Sequence, residues 1–306
     1  MNKSTFEIDG YEIHLEHLDK ILFPEDGITK ADLVDYYKRM AATMLPHMYD
    51  RPLTMQRFPD GIQEGGFYQK EAPDYFPDWI RRVAIRVEEE GGAQQDQITC
   101  ENAATLVYLA NQACITPHIW LSRADKIDFP DKLIFDLGPP DHDFAPVRQA
   151  AKHLRDLLDS LDLESFVMTT GSRGLHVVVP LDRTMNFDSV REFAHNAAEL
   201  LAQRHSDQLT TAQRKEKRGN RLFLDYLRNA YGQNSVTPYA LRPLPGAPVA
   251  TPLGWDELDD PHLNAQSYNM NNIFRRLAQK EDPWKRIMDQ TYSLTEAQEK
   301  LKAMRV

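Results

Sequence analysis

A mixed α/β (α+β) fold with a central sheet is the class this sequence of 306 residues predicts. Three observations carry the prediction. Helical and strand patterns interleave from one end of the chain to the other. After Asp136 the order is strand, helix, strand, turn, strand, as an α/β sheet requires. The 42% hydrophobic content suits a folded soluble chain, and no internal repeat or low-complexity segment interrupts it.

The elements follow in order. "TKADLVDYYKRMAATML" is a helix whose Thr29 and Asp32 stand at N-cap and N3 spacing, with Leu33, Tyr37, Met40 and Met44 on one face. "RPLTMQRFPDG" is rich in strand formers and ends in a turn, and "GGFYQKEAPDYFPDW" reads as a strand followed by a loop. "NAATLVYLANQAC" is helical in composition, which places Cys114 in a helix. The strand "KLIFDLG" then leads to "APVRQAAKHLRDLLDSL", where Val147, Ala151, Leu154, Leu158 and Leu161 make a stripe that packs on a sheet. Strands "SFVMTTG" and "LHVVVPL" flank the turn "SRG", a helix covers Val190 to Gln203, and "RLFLDYL" is a last strand. The tail from Asn264 to Val306 reads as helical, with Ser293 and Glu296 at capping-box spacing.

Net charge is −10, which argues against a protein that coats nucleic acid by bulk charge. Basic residues concentrate locally in "WIRRVAIR" and "RKEKRGNR", enough for a short groove. The two cysteines, Cys100 and Cys114, read as free thiols of a reducing compartment, and no C-x-x-C or H-x-x-x-H spacing suggests a zinc site. No apolar run can cross a bilayer and the first residues lack the apolar stretch of a signal peptide, so the expected location is the cytoplasm, with no membrane partner.

Two acids end apolar strands: Asp136 in "LIFDLG" and Asp225 in "LFLDYL". A carboxylate there is costly unless it faces a metal or a cation, although bonding to a turn amide would also account for it. The turn "TTGSRGLH" can converge backbone amides on an anion, with Thr170, Ser172, Arg173 and His176 as further donors; a plain hairpin is the structural alternative. Lys217, Arg218 and Arg221 precede Asp225, and Arg242 follows it, as would suit a polyphosphate or a solvated loop. Lys20, Lys30, Arg51 and Arg57 are further phosphate candidates, and Phe67 and Tyr68 could stack on bases.

Taken together, these segments resemble the polymerase (primase-like) domain of the bacterial DNA ligase D family, the end-joining branch of the archaeo-eukaryotic primase superfamily. The resemblance runs from "LDKILFPEDGITKADLVDYY" to "FLDYLRNAYGQNSVTPYALRPLPGAPVATPL", nearly the whole chain. It implies a primase-type core with an RRM-like sheet and a flanking N-terminal α/β module. As one primase-polymerase domain, the chain would divide into residues 1–115 with the 5′-phosphate and template contacts, a core over 116–260 and a helical tail over 261–306.

The implied activity is template-dependent nucleotidyl transfer that fills gaps and extends 3′ ends at double-strand breaks. Ribonucleotides and Mn2+ are often preferred, Mg2+ is the other metal, and the partners are 5′-phosphorylated DNA, NTP or dNTP, Ku and an ATP-dependent ligase. By position, Asp136 and Asp225 match metal-binding acids. Thr170 stands at a usual serine, His176 matches a triphosphate contact, and Arg221 and Arg242 fall near that triphosphate. Lys20 and Lys30 match 5′-phosphate lysines, with Arg57 beside them, and Phe67 matches a template-stacking aromatic. His118 matches a family element near the catalytic pocket.

The family pattern on this strand is D-x-D, whereas the chain reads Asp136-Leu137-Gly138. Positions 136 and 138 share one face of a strand, which is how two carboxylates would share two ions about 3.5–4 Å apart. Glycine supplies no ligand. The explanations are that Asp141 or Asp143 swings back to substitute, that the protein keeps weak activity with one well-held metal and the triphosphate supplying the remaining ligands, that it binds DNA ends without catalysis, or that the glycine is a change from the natural sequence. No ligase signature accompanies the polymerase-like segments.

Overall fold

The structure is a computed structural model that describes residues 4–87, 91–139, 141 and 143–305. It divides into two compact units, one of residues 1–125, 234–249 and 269–271, the other of residues 126–233, 250–268 and 272–306.

The first unit opens with two short antiparallel strand pairs, β1 (Ser4–Ile8) with β2 (Tyr11–Leu15) and β3 (Ile21–Phe23) with β4 (Ile28–Thr29). Helix α1 (Lys30–Met48) starts where the capping box predicts: the Thr29 hydroxyl accepts from the Asp32 amide at 3.3 Å and the Asp32 carboxylate accepts from the Thr29 amide at 2.8 Å. Its predicted apolar face is buried. Strands β5 (Leu53–Arg57) and β6 (Phe67–Gln69), the hairpin β7 (Arg82–Val87) with β8 (Ala93–Ile98), helix α2 (Ala103–Asn111) and strand β9 (Cys114–Trp120) complete this stretch. Cys114 opens a strand, contrary to the helical expectation, because Ala113 turns left-handed at φ 55° and ends the helical path before it. Both cysteines are free and buried.

In the second unit, β10 (Lys132–Gly138), α3 (Ala145–Ser160), β11 (Phe166–Thr169), β12 (Leu175–Pro180), α4 (Phe187–Arg204), β13 (Leu209–Thr210) and β14 (Leu222–Asp225) follow one another. The chain then returns to the first unit, where β15 (Asn234–Val236) gives a sheet ordered β15-β9-β5-β6, and re-enters the second at β16 (Pro252–Leu253). The second unit's sheet is ordered β13-β14-β10-β12-β11-β16. Its inner four strands, with α3 and α4 as crossovers, trace the split β-α-β pattern that an RRM-like sheet implies.

Alternation along β10 decides what each face carries. Leu133, Phe135 and Leu137 are buried with the α3 stripe and with Val190, Phe193 and Ala197 of α4, each large side chain contributing roughly 1.5–3 kcal/mol by burial. Asp136 therefore points to the opposite face.

The tail is less helical than its composition suggests. Among its described residues only α5 (Ile273–Gln279) and α6 (Leu294–Ala303) are α-helices, because Asn264 and Asn269 accept hydrogen bonds from amides two residues on and hold turns instead. Ser293 caps α6 through the Thr295 amide at 3.3 Å, one residue short of a capping box. Among the described residues, no helix is long and apolar enough to cross a membrane.

Candidate active site

Three strands bring the chemistry of the second unit into one row. In the β10 ladder, Asp136 lies directly opposite Asp225 of β14 on one side and His176 of β12 on the other, so all three side chains share the face away from the helices. His176 is 4% exposed, its Nε2 lies 3.7 Å from Asp136 Oδ2, and its buried Nδ1 has no hydrogen-bond partner among the described residues.

Arg228, which sequence reasoning passed over, completes the row: its Nε lies 3.4 Å from Asp136 Oδ2. The turn Leu227–Asn229 that carries it is fixed twice. Asp225 Oδ1 accepts from the Leu227 amide at 2.8 Å. The buried Asn229 side chain accepts from the Ile134 amide at 2.9 Å and donates to the Ile134 carbonyl at 2.8 Å, pairing with β10 as a strand residue would. The predicted strand "RLFLDYL" stops at Asp225 for this reason. A signal existed in the sequence, an Asp followed by Arg and Asn, but its meaning depends on a partner more than ninety positions away.

Burial by itself would raise both carboxyls. At Asp136, His176 and Arg228 outweigh burial and hold the acid below its ordinary value. At Asp225 burial wins: the Leu227 amide opposes it, the neighbouring Asp136 charge adds to it, and the acid lies above its ordinary value.

The turn after β11 sits against the end of β10. A Cβ at Gly174 would overlap the Leu137 carbonyl, so only glycine permits the approach, and Gly171 takes a left-handed φ of 66°. The Thr170 hydroxyl accepts from the Ser172 amide at 3.3 Å and the Gly174 amide at 3.2 Å, which makes it a brace of the turn. Ser172 is half-buried and Arg173 exposed. Arg221 donates to the Arg218 and Lys217 carbonyls at 2.9 and 2.8 Å, while Arg218 stacks on Phe223 at 3.9 Å, directly opposite Gly138.

Gly138 has an ordinary φ, and a Cβ built there meets nothing within 4 Å. Asp141 and Asp143 accept from the Asp143 and Ala145 amides at 2.9 and 3.0 Å, as part of the entry into α3. Among the described residues no group of three or more His, Cys, Asp or Glu side chains could hold a metal ion. This donor set does not fit a pair of divalent cations.

In the first unit, Lys20, Lys30 and Arg57 line one cleft of ≈ 540 Å³ with Glu16, His17 and Asn111. Lys30, at the start of α1, is buried and donates to the Asn111 carbonyl at 2.9 Å; Lys20 pairs with Asp60 at 2.7 Å. The Arg57 guanidinium is committed to the protein: it donates to the Gln112 carbonyl (2.9 Å), Gln112 Oε1 (3.1 Å), Gln69 (2.7 Å) and Tyr75 (2.9 Å). Phe67, 46% exposed, has that guanidinium 5.6 Å from its ring centre. Tyr68 is exposed and meets His118 edge-on at 5.7 Å. Arg242 belongs to this unit, where its amide donates to the Pro248 carbonyl at 2.7 Å, and Arg51 is a fully buried strut.

A family model described as the primase-polymerase domain of LigD matches residues 29–284. The chain belongs to the LigD primase-polymerase family. The multifunctional non-homologous end joining DNA repair protein LigD of Mycobacterium tuberculosis (strain H37Rv) is 32% identical over 284 residues, covering 90% of this chain and 37% of the relative. The bifunctional LigD of Bacillus subtilis (strain 168) is 29% identical over 275 residues, covering 89% of this chain and 44% of the relative. The chain thus spans less than half the length of these relatives. The polymerase domain of M. tuberculosis ligase D, solved in complex with DNA, superposes with a TM-score of 0.84 at 28% identity, covering 92% of this chain and 99% of that domain.

Proposed function

We propose that this LigD-family chain fills gaps and extends 3′ ends at DNA breaks by template-directed nucleotidyl transfer during end joining. One observation carries the reading: the row Asp225–Asp136–His176, beside a braced, amide-rich turn at the strand end. Phosphoryl transfer needs little covalent chemistry from a protein. It needs a polyphosphate held still and its charge neutralised.

In this reading His176, Ser172, Arg173 and Arg221 grip the triphosphate of an incoming nucleotide, and Thr170 keeps the turn in shape. Asp136 and Asp225 face the reacting end, with Mn2+ or Mg2+ as cofactor. Lys20 and Lys30 take the 5′-phosphate of a downstream strand, Phe67 stacks on the template, and Arg57 holds cleft and aromatic ring together. The partners would be 5′-phosphorylated DNA, NTP or dNTP with ribonucleotides preferred, Ku and an ATP-dependent ligase, all in the cytoplasm. Phosphate contacts of this kind give position without sequence preference, which suits a net charge of −10.

Primer extension on a gapped duplex bearing a 5′-phosphate, with ribonucleotides and Mn2+ or Mg2+, tests the proposal. Extension that Asp225→Ala abolishes is the expected result; no extension at any enzyme concentration would sink it.

Gly138 favours a second reading, a weakly active or non-catalytic module that binds and holds DNA ends. It predicts tight binding of 5′-phosphorylated ends without extension, and extension once Gly138→Asp is introduced. The open space at Gly138 is compatible with that side chain.

A further inference from the structure

We infer that Arg228 supplies from within the chain the second positive charge of this site, so that the site takes one divalent cation with a nucleoside triphosphate instead of two cations. The identity of the triphosphate rests on the reading above; the charge arrangement rests on the geometry around Asp136.

Three observations carry it. Among the described residues of this row the carboxylates are Asp136 and Asp225, and a Cβ at Gly138, where another carboxylate would sit, meets nothing within 4 Å. Arg228 Nε lies 3.4 Å from Asp136 Oδ2, the oxygen that His176 Nε2 also approaches at 3.7 Å, so this carboxylate already faces a fixed positive charge. Arg228 is also held there by design of the local fold, because Asn229 clamps its turn to both backbone groups of Ile134. The side chain is 42% exposed, so its remaining donors are open to a phosphate while Nε faces the carboxylate.

A guanidinium and a metal ion are not equivalent in such a place. Arg pairs with phosphate oxygens through a planar fork, yet it does not polarise a hydroxyl to the degree a bound metal does. The arrangement therefore retains triphosphate binding more fully than it retains activation of a primer 3′-hydroxyl.

The test counts Mn2+ on the whole chain by electron paramagnetic resonance of the free ion, and measures ATP binding in the same samples. The unaltered chain is expected to bind one Mn2+ per molecule. Arg228→Gln should bind that ion about two- to fivefold tighter, since a competing half-exposed ion pair at Asp136 is removed, and should bind ATP more weakly. Arg228→Lys, which keeps the charge, should restore part of the ATP affinity, and Gly138→Asp should bind two ions. The inference is overturned if the unaltered chain binds two Mn2+ or none, if Arg228→Gln moves neither affinity, or if Gly138→Asp still binds one ion. Thermal melts confirm folding, which the open space at Gly138 and the exposure of Arg228 favour. A failure of primer extension would remove the catalytic reading and leave these binding results standing.

Discussion

Lys30 is the residue whose position most changes its chemistry. A lysine on the first turn of a helix is ordinarily a surface group, but here it is 8% exposed in the cleft with Lys20 and Arg57. Burial lowers its pKa from the usual 10.5; Glu16 opposes this, and the charges of Lys20 and Arg57 add to it. An ammonium held in that way gains most from a phosphate dianion. Its depressed value means that the proton, and with it the attraction, is present at lower pH and lost sooner than for an ordinary lysine as pH rises. Affinity for a 5′-phosphorylated gapped duplex is therefore expected to weaken on the alkaline side before free lysine would titrate. Lys30→Ala should cost about tenfold or more at neutral pH and flatten that dependence, as fluorescence anisotropy across a pH series would register. A dependence identical in the two proteins would count against this role.

At the scale of elements, short turns do the positioning. The turn Thr170–Gly174 and the turn Leu227–Asn229 set what lies on either side of Asp136, and both are held by side chains bonded to backbone. The edge strand β16 has a similar anchor. Arg276 of α5 donates to the Pro252 carbonyl at 3.0 Å and forms an ion pair with Glu257, whose carboxyl, despite its burial, is drawn down to about 2 by Arg276 and the Gly254 amide. A depressed carboxyl stabilises the fold above its ordinary 4.5, and the contribution fades as pH falls towards about 2. Glu257→Gln is thus expected to lose roughly 1.5–3 kcal/mol near neutral pH, with the deficit shrinking in acid, as denaturant melts at several pH values would show. Equal deficits at all pH values would contradict this account.

For the molecule as a whole, the candidate contacts fall into two sets borne by different units: Lys20, Lys30 and Phe67 in the first, Asp136, His176 and Asp225 in the second. Substitutions should separate accordingly. Lys20→Ala with Lys30→Ala is expected to abolish preference for 5′-phosphorylated over unphosphorylated gapped DNA while leaving ATP binding intact, and His176→Ala should do the reverse; loss of both functions in either variant would argue against separable sites. Much of this layout was legible in the chain itself. The α1 cap, the α3 stripe and the strand run before Asp136 obey local rules of capping and periodicity, which need no distant partner. Local rules also showed that Gly138 carries no ligand. The cleft that buries Lys30, the commitment of Arg57 to Gln69, Gln112 and Tyr75, and the seat of Arg228 on Asp136 were not legible, because each is a contact between segments that only the folded chain brings together. The sequence alone determined which strand ends in a carboxylate and which face it uses, since alternation is a property of the backbone. Only the tertiary structure decided which charges surround that carboxylate, since strand register and turn packing choose its neighbours through space.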